Sequence, residues 1–407
     1  MSLRQLILLA LCAWSLKSAD WPQWRGPNRD GAIPSSSEPK AWPEQLNRKW
    51  KIQTGIGHSS PIYAAGSIYL FSRQQNNETL AKIDPKLGKV LWTQTYAAPY
   101  RMDPAAQSHG EGPKSTPLFH EGRVYTFGIS GILSCWDADS GALKWRKEFS
   151  KDYKQTSPIF GTAMSPEMDR GLLIAHIGGN DDGALTAFDA GTGGVRWQWK
   201  GDGPAYASPI VVDLSGVRQV ITQSQGNILG VSAQDGKLLW KMPFTTPYVQ
   251  NIVTPLVYKD TVVFSGLSND TMAVRLVKKG DSLSPDVVWR NRSVSMYMNS
   301  PVLFGDMVFG FSQRSKGQIF CLDARSGKTL WLGEPRQGDN AATLIGANSL
   351  LTLKDDGELI VAKPSGSKFE QLRRYKVADS ATWAHPLPVP GGLVIKDVST
   401  LAFWSWE

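Results

Sequence analysis

One hairpin pattern recurs along this chain of 407 residues and constrains its fold more than any other feature. In each copy, an acidic or small polar residue is followed after four positions by glycine and after four more by tryptophan. Five full copies occur: Asp84-Gly88-Trp92, Asp137-Gly141-Trp145, Asp189-Gly193-Trp197, Ser232-Gly236-Trp240 and Asp323-Gly327-Trp331. A weaker copy, Ala362-Gly366, lacks the tryptophan. The pattern predicts β-hairpins with glycine at a positive-φ turn position and a buried tryptophan on the return strand.

A second marker, a small residue followed by proline, opens an apolar strand in each repeat. It occurs at Ser60-Pro61, Thr116-Pro117, Ser157-Pro158, Ser208-Pro209, Thr254-Pro255 and Ser300-Pro301, with weaker forms at Ala341-Ala342 and His385-Pro386. These eight positions are 41 to 56 residues apart, which is in the range of a four-stranded propeller blade. Runs of β-branched and aromatic residues follow the markers. The sequence therefore predicts eight blades of four strands each.

The two ends of the chain complement each other. The last unit stops at Glu407 without an outer strand, whereas Arg48–Thr54 carries Trp50 but has no blade before it. We expect this N-terminal strand to complete blade eight, because closure removes exposed sheet edges. The prediction is an all-β, eight-bladed propeller over residues 48–407, preceded by an N-terminal extension over 20–47. The tryptophans expected to pack between blades are Trp50, Trp92, Trp145, Trp197, Trp240, Trp289 and Trp331.

Residues 1–19 are typical of a secretory signal peptide. Arg4 is followed by an apolar run from Leu6 to Leu16 and a small residue, Ala19, before Asp20. The run is shorter than the roughly 20 residues that span a bilayer. We therefore expect a secreted or periplasmic protein. Two alternatives that would attach it to a membrane stay open, an uncleaved anchor and lipidation at Cys12.

The charged residues argue against a nucleic-acid partner, and the cysteine positions argue against a disulfide. The 44 Lys+Arg against 36 Asp+Glu form no basic stripe interleaved with aromatic residues, so no nucleic-acid partner is predicted. Cys135 and Cys321 each lie two residues before a hairpin aspartate, in blades two and six. Opposite blades keep them beyond the roughly 7 Å between Cα atoms that a disulfide tolerates. We expect two buried free thiols and a monomer.

The hairpins and the Ser/Thr-Pro openings resemble the pyrroloquinoline-quinone-type (PQQ-like) repeat of eight-bladed quinoprotein propellers. The segment DWPQWRGPNRDG at 20–31 is also similar to the N-termini of secreted bacterial proteins of this repeat class. The resemblance implies either a quinone-dependent alcohol or sugar dehydrogenase or a non-catalytic propeller such as the outer-membrane assembly lipoprotein. The dehydrogenases carry an adjacent cysteine pair over the quinone and hold calcium with Glu and Asn beside a catalytic Asp. This sequence has no Cys-Cys pair, and none of its Glu, Asn or Asp residues lies in a motif that matches the calcium ligands or the catalytic Asp. We therefore expect no cofactor. If the protein is a dehydrogenase instead, the expected cofactor is PQQ with calcium.

The residues just before each inner strand are expected at one mouth of the central channel. This placement predicts a polar and aromatic ring suited to stacking and hydrogen bonding, with no catalytic residue and no metal ligand assigned. The alternative is that these residues are polar only because they lie in surface loops, and that they bind no ligand. The candidate ligand-binding residues are His58, Arg101, His109, Glu111, Lys114, Gln155, Tyr206, Asn251, Tyr297, Asn299, Asn340, Trp383 and His385.

One connection is longer than the others. From Trp92 to Pro117 the chain takes 25 residues, against 11 to 15 elsewhere, and it includes Arg101, His109 and Lys114. A loop of this length and composition predicts a lid over the channel. The function predicted is a binding scaffold for a protein or carbohydrate partner at this face. The alternative is a quinone-dependent dehydrogenase that oxidises an alcohol or a sugar.

Overall fold

The computed structural model describes residues 20–280 and 282–407. These residues form eight four-stranded antiparallel sheets, and the innermost strands of neighbouring sheets contact one another around a central channel. The predicted eight-bladed propeller is confirmed. The described residues contain no α-helix, only short 3-10 turns, and none of these could span a membrane. The signal peptide predicted at 1–19 and Cys12 lie outside the described residues.

Each blade runs from an inner to an outer strand. Blades one to four consist of β2 (Ile62–Ala64), β3 (Ser67–Gln74), β4 (Asn77–Ile83) and β5 (Val90–Ala97); β6 (Leu118–His120), β7 (Arg123–Phe127), β8 (Leu133–Asp137) and β9 (Leu143–Lys147); β10 (Glu167–Asp169), β11 (Leu172–Gly179), β12 (Asp182–Asp189) and β13 (Val195–Trp199); and β14 (Ile210–Leu214), β15 (Val217–Gln223), β16 (Asn227–Ser232) and β17 (Leu238–Pro243).

Blades five to eight repeat the arrangement. They consist of β18 (Leu256–Tyr258), β19 (Thr261–Phe264), β20 (Thr271–Lys279) and β21 (Ser282–Asn291); β22 (Val302–Phe304), β23 (Met307–Ser312), β24 (Gln318–Asp323) and β25 (Thr329–Leu332); β26 (Ala341–Ile345), β27 (Leu350–Lys354), β28 (Glu358–Ala362) and β29 (Gln371–Lys376); and β30 (Leu387–Val389), β31 (Gly392–Lys396), β32 (Thr400–Ser405) and β1 (Asn47–Gln53). Short 3-10 turns occur at Ser35–Ser37, Pro104–His109, Pro247–Val249 and Arg314–Lys316.

The ring closes as predicted from the two chain ends. Strand β1 pairs antiparallel with β32, with Trp50 opposite Phe403 and Lys51 opposite Ala402. The Trp50 indole N–H donates to the Pro85 carbonyl at 3.0 Å, which ties blade eight to blade one. Closure therefore joins the first strand of the described chain to its last strand.

The repeated hairpin explains how neighbouring blades dock. The indole N–H of Trp145, Trp197 and Trp289 donates to a backbone carbonyl in the turn of the following blade, at 3.0, 3.1 and 3.0 Å. The same ring covers the glycine of that turn, so a Cβ on Gly327 would lie 2.3 Å from Trp289. Two tryptophans depart from this rule. Trp240 donates to Gln219 in its own blade, and the Trp92 N–H is buried without a partner among the described residues.

The opening predicted for blade three at Ser157-Pro158 is wrong. Strand β10 begins after Ser165-Pro166, eight residues further on. Both dipeptides are Ser-Pro, which also marks ordinary turns, and the inner strand of three residues adds little apolar pattern to choose between them. The connection between β9 and β10 is consequently long as well. The long loop after β5 is therefore not unique, and the two long loops are neighbours on the same face.

Residues 20–33 of the N-terminal extension run through the central channel, which the sequence did not predict. The segment bonds to the inner strands, or to the residues just before them, in six blades: Trp21 to Tyr63, Pro22 to Phe119, Arg29 to Pro166, Trp24 to Thr254, Arg25 to Ser300 and Ile33 to Ile345. Arg29 also pairs with Glu167 at 2.7 Å, and both side chains are buried. We call residues 20–33 the channel segment.

The docking contact predicts the effect of a single methyl group. Gly327 has a φ of +69° and faces the Trp289 ring, whereas Gly305 in the same blade has a φ of +57° with no atom near its Cβ position. Both alanine variants incur the cost of positive φ, but only Gly327→Ala also displaces an indole. Gly327→Ala should lower the free energy of unfolding by about 1–3 kcal/mol more than Gly305→Ala. Urea denaturation measures the difference, and equal values would contradict the docking role.

A second prediction concerns the channel segment. Glu167→Ala leaves the buried Arg29 without its carboxylate and should cost about 3–5 kcal/mol of unfolding free energy. Asp213 pairs with Arg218 at 2.6 Å on the surface, so Asp213→Ala should cost less than about 1 kcal/mol. Denaturant unfolding of the two variants tests whether the channel segment is held as strongly as its contacts indicate. A small effect of Glu167→Ala would show that it is not.

The two cysteines give a third prediction. Cys135 in β8 and Cys321 in β24 are buried free thiols, as expected from their blades. Burial raises their pKa values to about 11 and about 12. A thiol reagent at neutral pH should therefore leave both unmodified in the folded protein, because the thiolate is the reactive form. Unfolding residues 20–407 without reductant should release two thiols, whereas a peptide linking Cys135 to Cys321 would contradict the blade assignment.

Candidate functional site

A cavity of about 130 Å³ lies at the channel mouth where the inner strands begin. Each of the eight blades contributes to its wall through the residues just before its inner strand. The channel segment supplies the floor, and the two long loops supply further wall residues. The lining consists of Trp24, His58, His109, Lys114, Phe160, Ala163, Tyr206, Ser208, Gln250, Ile252, Tyr297, Met298, Ser300, Asn340 and Trp383.

Seven of the thirteen residues chosen from the sequence lie in this lining. They come from blades one, two, four, six, seven and eight and from the first long loop: His58, His109, Lys114, Tyr206, Tyr297, Asn340 and Trp383. Counting back from each inner strand located six of them, because every blade enters its first strand in the same way, and the length of the first long loop pointed to His109. The Ser165-Pro166 opening would have located Ala163 by the same rule.

Three predicted residues lie beneath the cavity wall and hold the backbone. The Asn251 amide donates to the carbonyls of Ser224 and Phe244 at 2.7 and 2.9 Å. The Asn299 amide donates to the Ala341 carbonyl at 2.7 Å. His385 is buried behind Trp24, with 4.3 Å between ring centroids. None of the three is in the lining, although Gln250, the residue before Asn251, is.

Three others lie outside the lining altogether. Arg101 is exposed on the first long loop. The Glu111 carboxylate accepts from the Met102 backbone N–H at 3.3 Å and so braces that loop. Gln155 is exposed on the second long loop, where its side-chain oxygen accepts from the Asn180 N–H. Gln155 was misplaced because its position was counted from the wrong Ser-Pro dipeptide.

The first long loop contributes His109 to the cavity wall, and the lid over the channel stays a prediction. Asp103 caps the 3-10 turn at 104–109 by accepting from the Ala105 N–H at 2.9 Å. The His58 Nε2 atom lies 3.1 Å from the His109 carbonyl oxygen. The His109 ring stands edge-on to Phe160 from the second long loop, with 5.1 Å between centroids. The two loops thus meet at His109 and Phe160.

The floor of the cavity depends on the channel segment. The Trp24 indole N–H donates to the Thr254 hydroxyl at 2.9 Å, which fixes the ring across the channel. Neither Trp24 nor Phe160 was predicted as a site residue. Trp24 reaches the cavity through the fold of a segment outside the repeats. Phe160 would have been noticed only if the second long loop had been recognised.

The charges in the site are unbalanced. The Lys114 ammonium donates to the Phe160 carbonyl at 2.6 Å and to the Gly110 carbonyl at 3.4 Å, and the lining contains no Asp or Glu. Burial lowers the pKa of Lys114 to about 7. Burial, followed by the charges of Lys114 and Lys396, lowers the pKa of His58 to about 4. At neutral pH the histidine is therefore neutral and the lysine is partly protonated.

This donor set suits binding, and it does not suit the cofactor of the quinoprotein dehydrogenases. Calcium prefers carboxylate and carbonyl oxygens, and the lining has no carboxylate. Among the described residues no group of three His, Cys, Asp or Glu side chains could hold a metal ion. Cys135 and Cys321 lie in β8 and β24, so they form no adjacent pair above the cavity.

Comparisons with known proteins agree with the fold and give two kinds of relative. The outer membrane protein assembly factor BamB of Shewanella oneidensis is 23% identical over 227 residues, which cover 53% of this chain and 55% of that protein. The quinohemoprotein alcohol dehydrogenase ADH-IIG of Pseudomonas putida is 24% identical over 49% of this chain and 30% of its own length. The chain thus spans about half the length of the first relative and less of the second.

The solved structure of quinohemoprotein alcohol dehydrogenase ADHIIG from Pseudomonas putida HK5 superimposes with a TM-score of 0.68. It shares 14% identity, and the superposition covers 95% of this chain and 80% of that one. This likeness shows the fold alone. A family model described as outer membrane protein assembly factor BamB matches residues 76–332, which is more than half of the chain. The chain therefore belongs to this PQQ-type repeat family of outer membrane protein assembly factor BamB.

Proposed function

We propose that this protein is an extracytoplasmic propeller scaffold that binds a protein or carbohydrate partner at the channel mouth. One observation carries the proposal: the channel segment blocks the channel, so the mouth becomes a closed-ended cavity lined from all eight blades. A partner can insert a side chain or a sugar ring there without passing through the ring. In this proposal residues 1–19 are a signal peptide, 20–47 an extension and 48–407 the propeller.

The lining chemistry supports a binding role. Tyr206, Tyr297 and Trp383 offer aromatic surface for stacking, and Gln250 and Asn340 add polar groups between them. Ligand sites commonly combine apolar walls with a few polar groups in this way. The related proteins named as assembly factors support a protein partner. Their name also supports the extracytoplasmic location, and we propose that the protein is a monomer.

The second candidate is a quinone-dependent dehydrogenase of alcohols or sugars. The sequence relative and the superposition with ADHIIG favour it. The lining without carboxylates disfavours it, because those enzymes need calcium ligands beside the quinone. Purified protein incubated with PQQ and Ca²⁺ separates the two. We expect neither cofactor absorbance on the protein nor dye-linked oxidation of an alcohol or a sugar.

A capture experiment tests the binding role. Immobilised wild-type protein is incubated with cell-envelope extract, in one portion untreated, in a second digested with protease and in a third with glycosidases. Trp383→Ala removes aromatic surface from the cavity and should reduce partner retention by about tenfold or more, the usual effect of losing a stacked aromatic anchor. Leu87 is exposed by 70% in the turn between β4 and β5 and lies outside the lining, so Leu87→Ala should retain the partner fully.

The two digested portions identify the chemical class of the partner. Loss of binding after protease indicates a protein, and loss after glycosidase indicates a carbohydrate. Equal retention by Trp383→Ala and wild type would overturn the channel mouth as the binding face. Thermal unfolding of both variants controls for folding.

A further inference from the structure

We infer that the channel-mouth cavity binds an acidic sugar, with the ligand carboxylate against the Lys114 ammonium and the ring between the aromatic walls. The inference rests on the proposed function and names the ligand class for the same site. Three observations carry it: the hydrogen bonding of Lys114, the sign of the surrounding charges and the mixture of aromatic and amide groups in the wall.

The Lys114 ammonium has a hydrogen-bond donor left for a ligand. An ammonium group has three donors. At Lys114 two of them are directed to the Phe160 and Gly110 carbonyls, and the contact to Gly110 is long at 3.4 Å. None of the ion pairs among the described residues includes Lys114. A ligand carboxylate would supply a short charge-assisted bond and the missing countercharge.

The charges around Lys114 favour an anion. The histidines that line the cavity, His58 and His109, add no negative charge, and a second ammonium, that of Lys396, is near enough to lower the pKa of His58. Lys396 is itself held by the Asp397 and Val398 carbonyls. The two carboxylates of the first long loop accept from backbone N–H groups, Glu111 from Met102 and Asp103 from Ala105, and neither pairs with the ammonium. A cation removed from water without a countercharge is costly, so binding an anion offsets part of that cost.

The remaining wall favours a sugar acid over a purely hydrocarbon acid. Gln250 and Asn340 are buried, and their side-chain oxygens have no hydrogen-bond partner among the described residues. Hydroxyl groups can donate to amide oxygens and accept from amide nitrogens. Tyr206, Tyr297 and Trp383 supply flat apolar surface for the C–H face of a pyranose ring. A carboxylate, hydroxyls and an apolar ring face occur together in uronic acids.

The state of Lys114 gives the inference a pH signature. Burial places its pKa at about 7 in the free protein, and a bound carboxylate raises it. Below pH 7 the ammonium is already protonated, so affinity is at its maximum. Above pH 7 binding must take up a proton, and affinity falls with pH until the pKa of the complex is reached. His58 stays neutral over this range because its pKa is about 4.

The experiment uses an array of matched acidic and neutral oligosaccharides, followed by calorimetry on the best pair at pH 6 and pH 8. Wild-type protein should bind the acidic member about ten- to a hundredfold more tightly at pH 6. Lys114→Met should abolish that preference and keep the affinity for the neutral member. Lys144 lies on the surface of the same blade and pairs with Asp137, so Lys144→Met should behave as wild type.

The calorimetric proton balance of the wild type provides a readout that needs no variant. Acidic ligand should bind with proton uptake at pH 8 and with much less at pH 6. Equal binding of acidic and neutral members, or an acidic preference that survives in Lys114→Met, would overturn the inference while leaving the scaffold proposal to the capture experiment. Tighter binding of a control tripeptide through its terminal carboxylate would replace the sugar by a peptide and overturn it too.

Discussion

The docking of a tryptophan from one blade onto the glycine turn of the next is the interaction on which the rest of the structure depends. The indole covers a glycine that a Cβ would push away, and its N–H fixes the ring to a carbonyl of the same turn, as between Trp289 and Ala324. Packing supplies the contact area and the hydrogen bond supplies the orientation. A β-bulge in the outer strand pair accompanies the contact and increases the local twist. This contact recurs at five of the eight junctions between blades, where the covering rings are those of Trp50, Trp92, Trp145, Trp197 and Trp289, and β1 completes blade eight.

A closed ring of blades encloses a central channel. The channel segment lies in it and forms the floor of the candidate site. The inner strands are as short as three residues, and carbonyl groups near their beginnings lie at the channel. Arg25 donates to the Ser300 carbonyl and Arg29 to those of Ser165 and Pro166, at 2.7 to 2.8 Å. An arginine has five donors in a fixed plane, so one side chain can satisfy several carbonyls. The segment thereby stabilises the buried polar backbone and places Trp24 as a floor.

The cavity above this floor shows how a site is added to a repeat fold. Its wall comes from the residues before the inner strands, which the docking contacts do not involve, so those positions are free to carry chemistry. Two neighbouring long loops extend the wall through His109 and Phe160. The result is a buried lysine and neutral histidines with no acid among them, a state that reduces stability unless a ligand is bound. Perturbed pKa values of this kind are typical of functional sites.

The sequence by itself determined the eight blades, the docking tryptophans, the closing strand and the separation of the two thiols. Each of these follows from a spacing repeated locally in the chain, so one pattern predicts all copies. It also located Lys114, Tyr297 and Trp383, because every blade enters its inner strand in the same way. Only the tertiary structure decided where blade three begins, since two Ser-Pro dipeptides eight residues apart are locally equivalent. It also decided the floor of the site: Arg25 and Ser300 are 275 residues apart, and a contact formed through the channel leaves no periodic signal in the sequence.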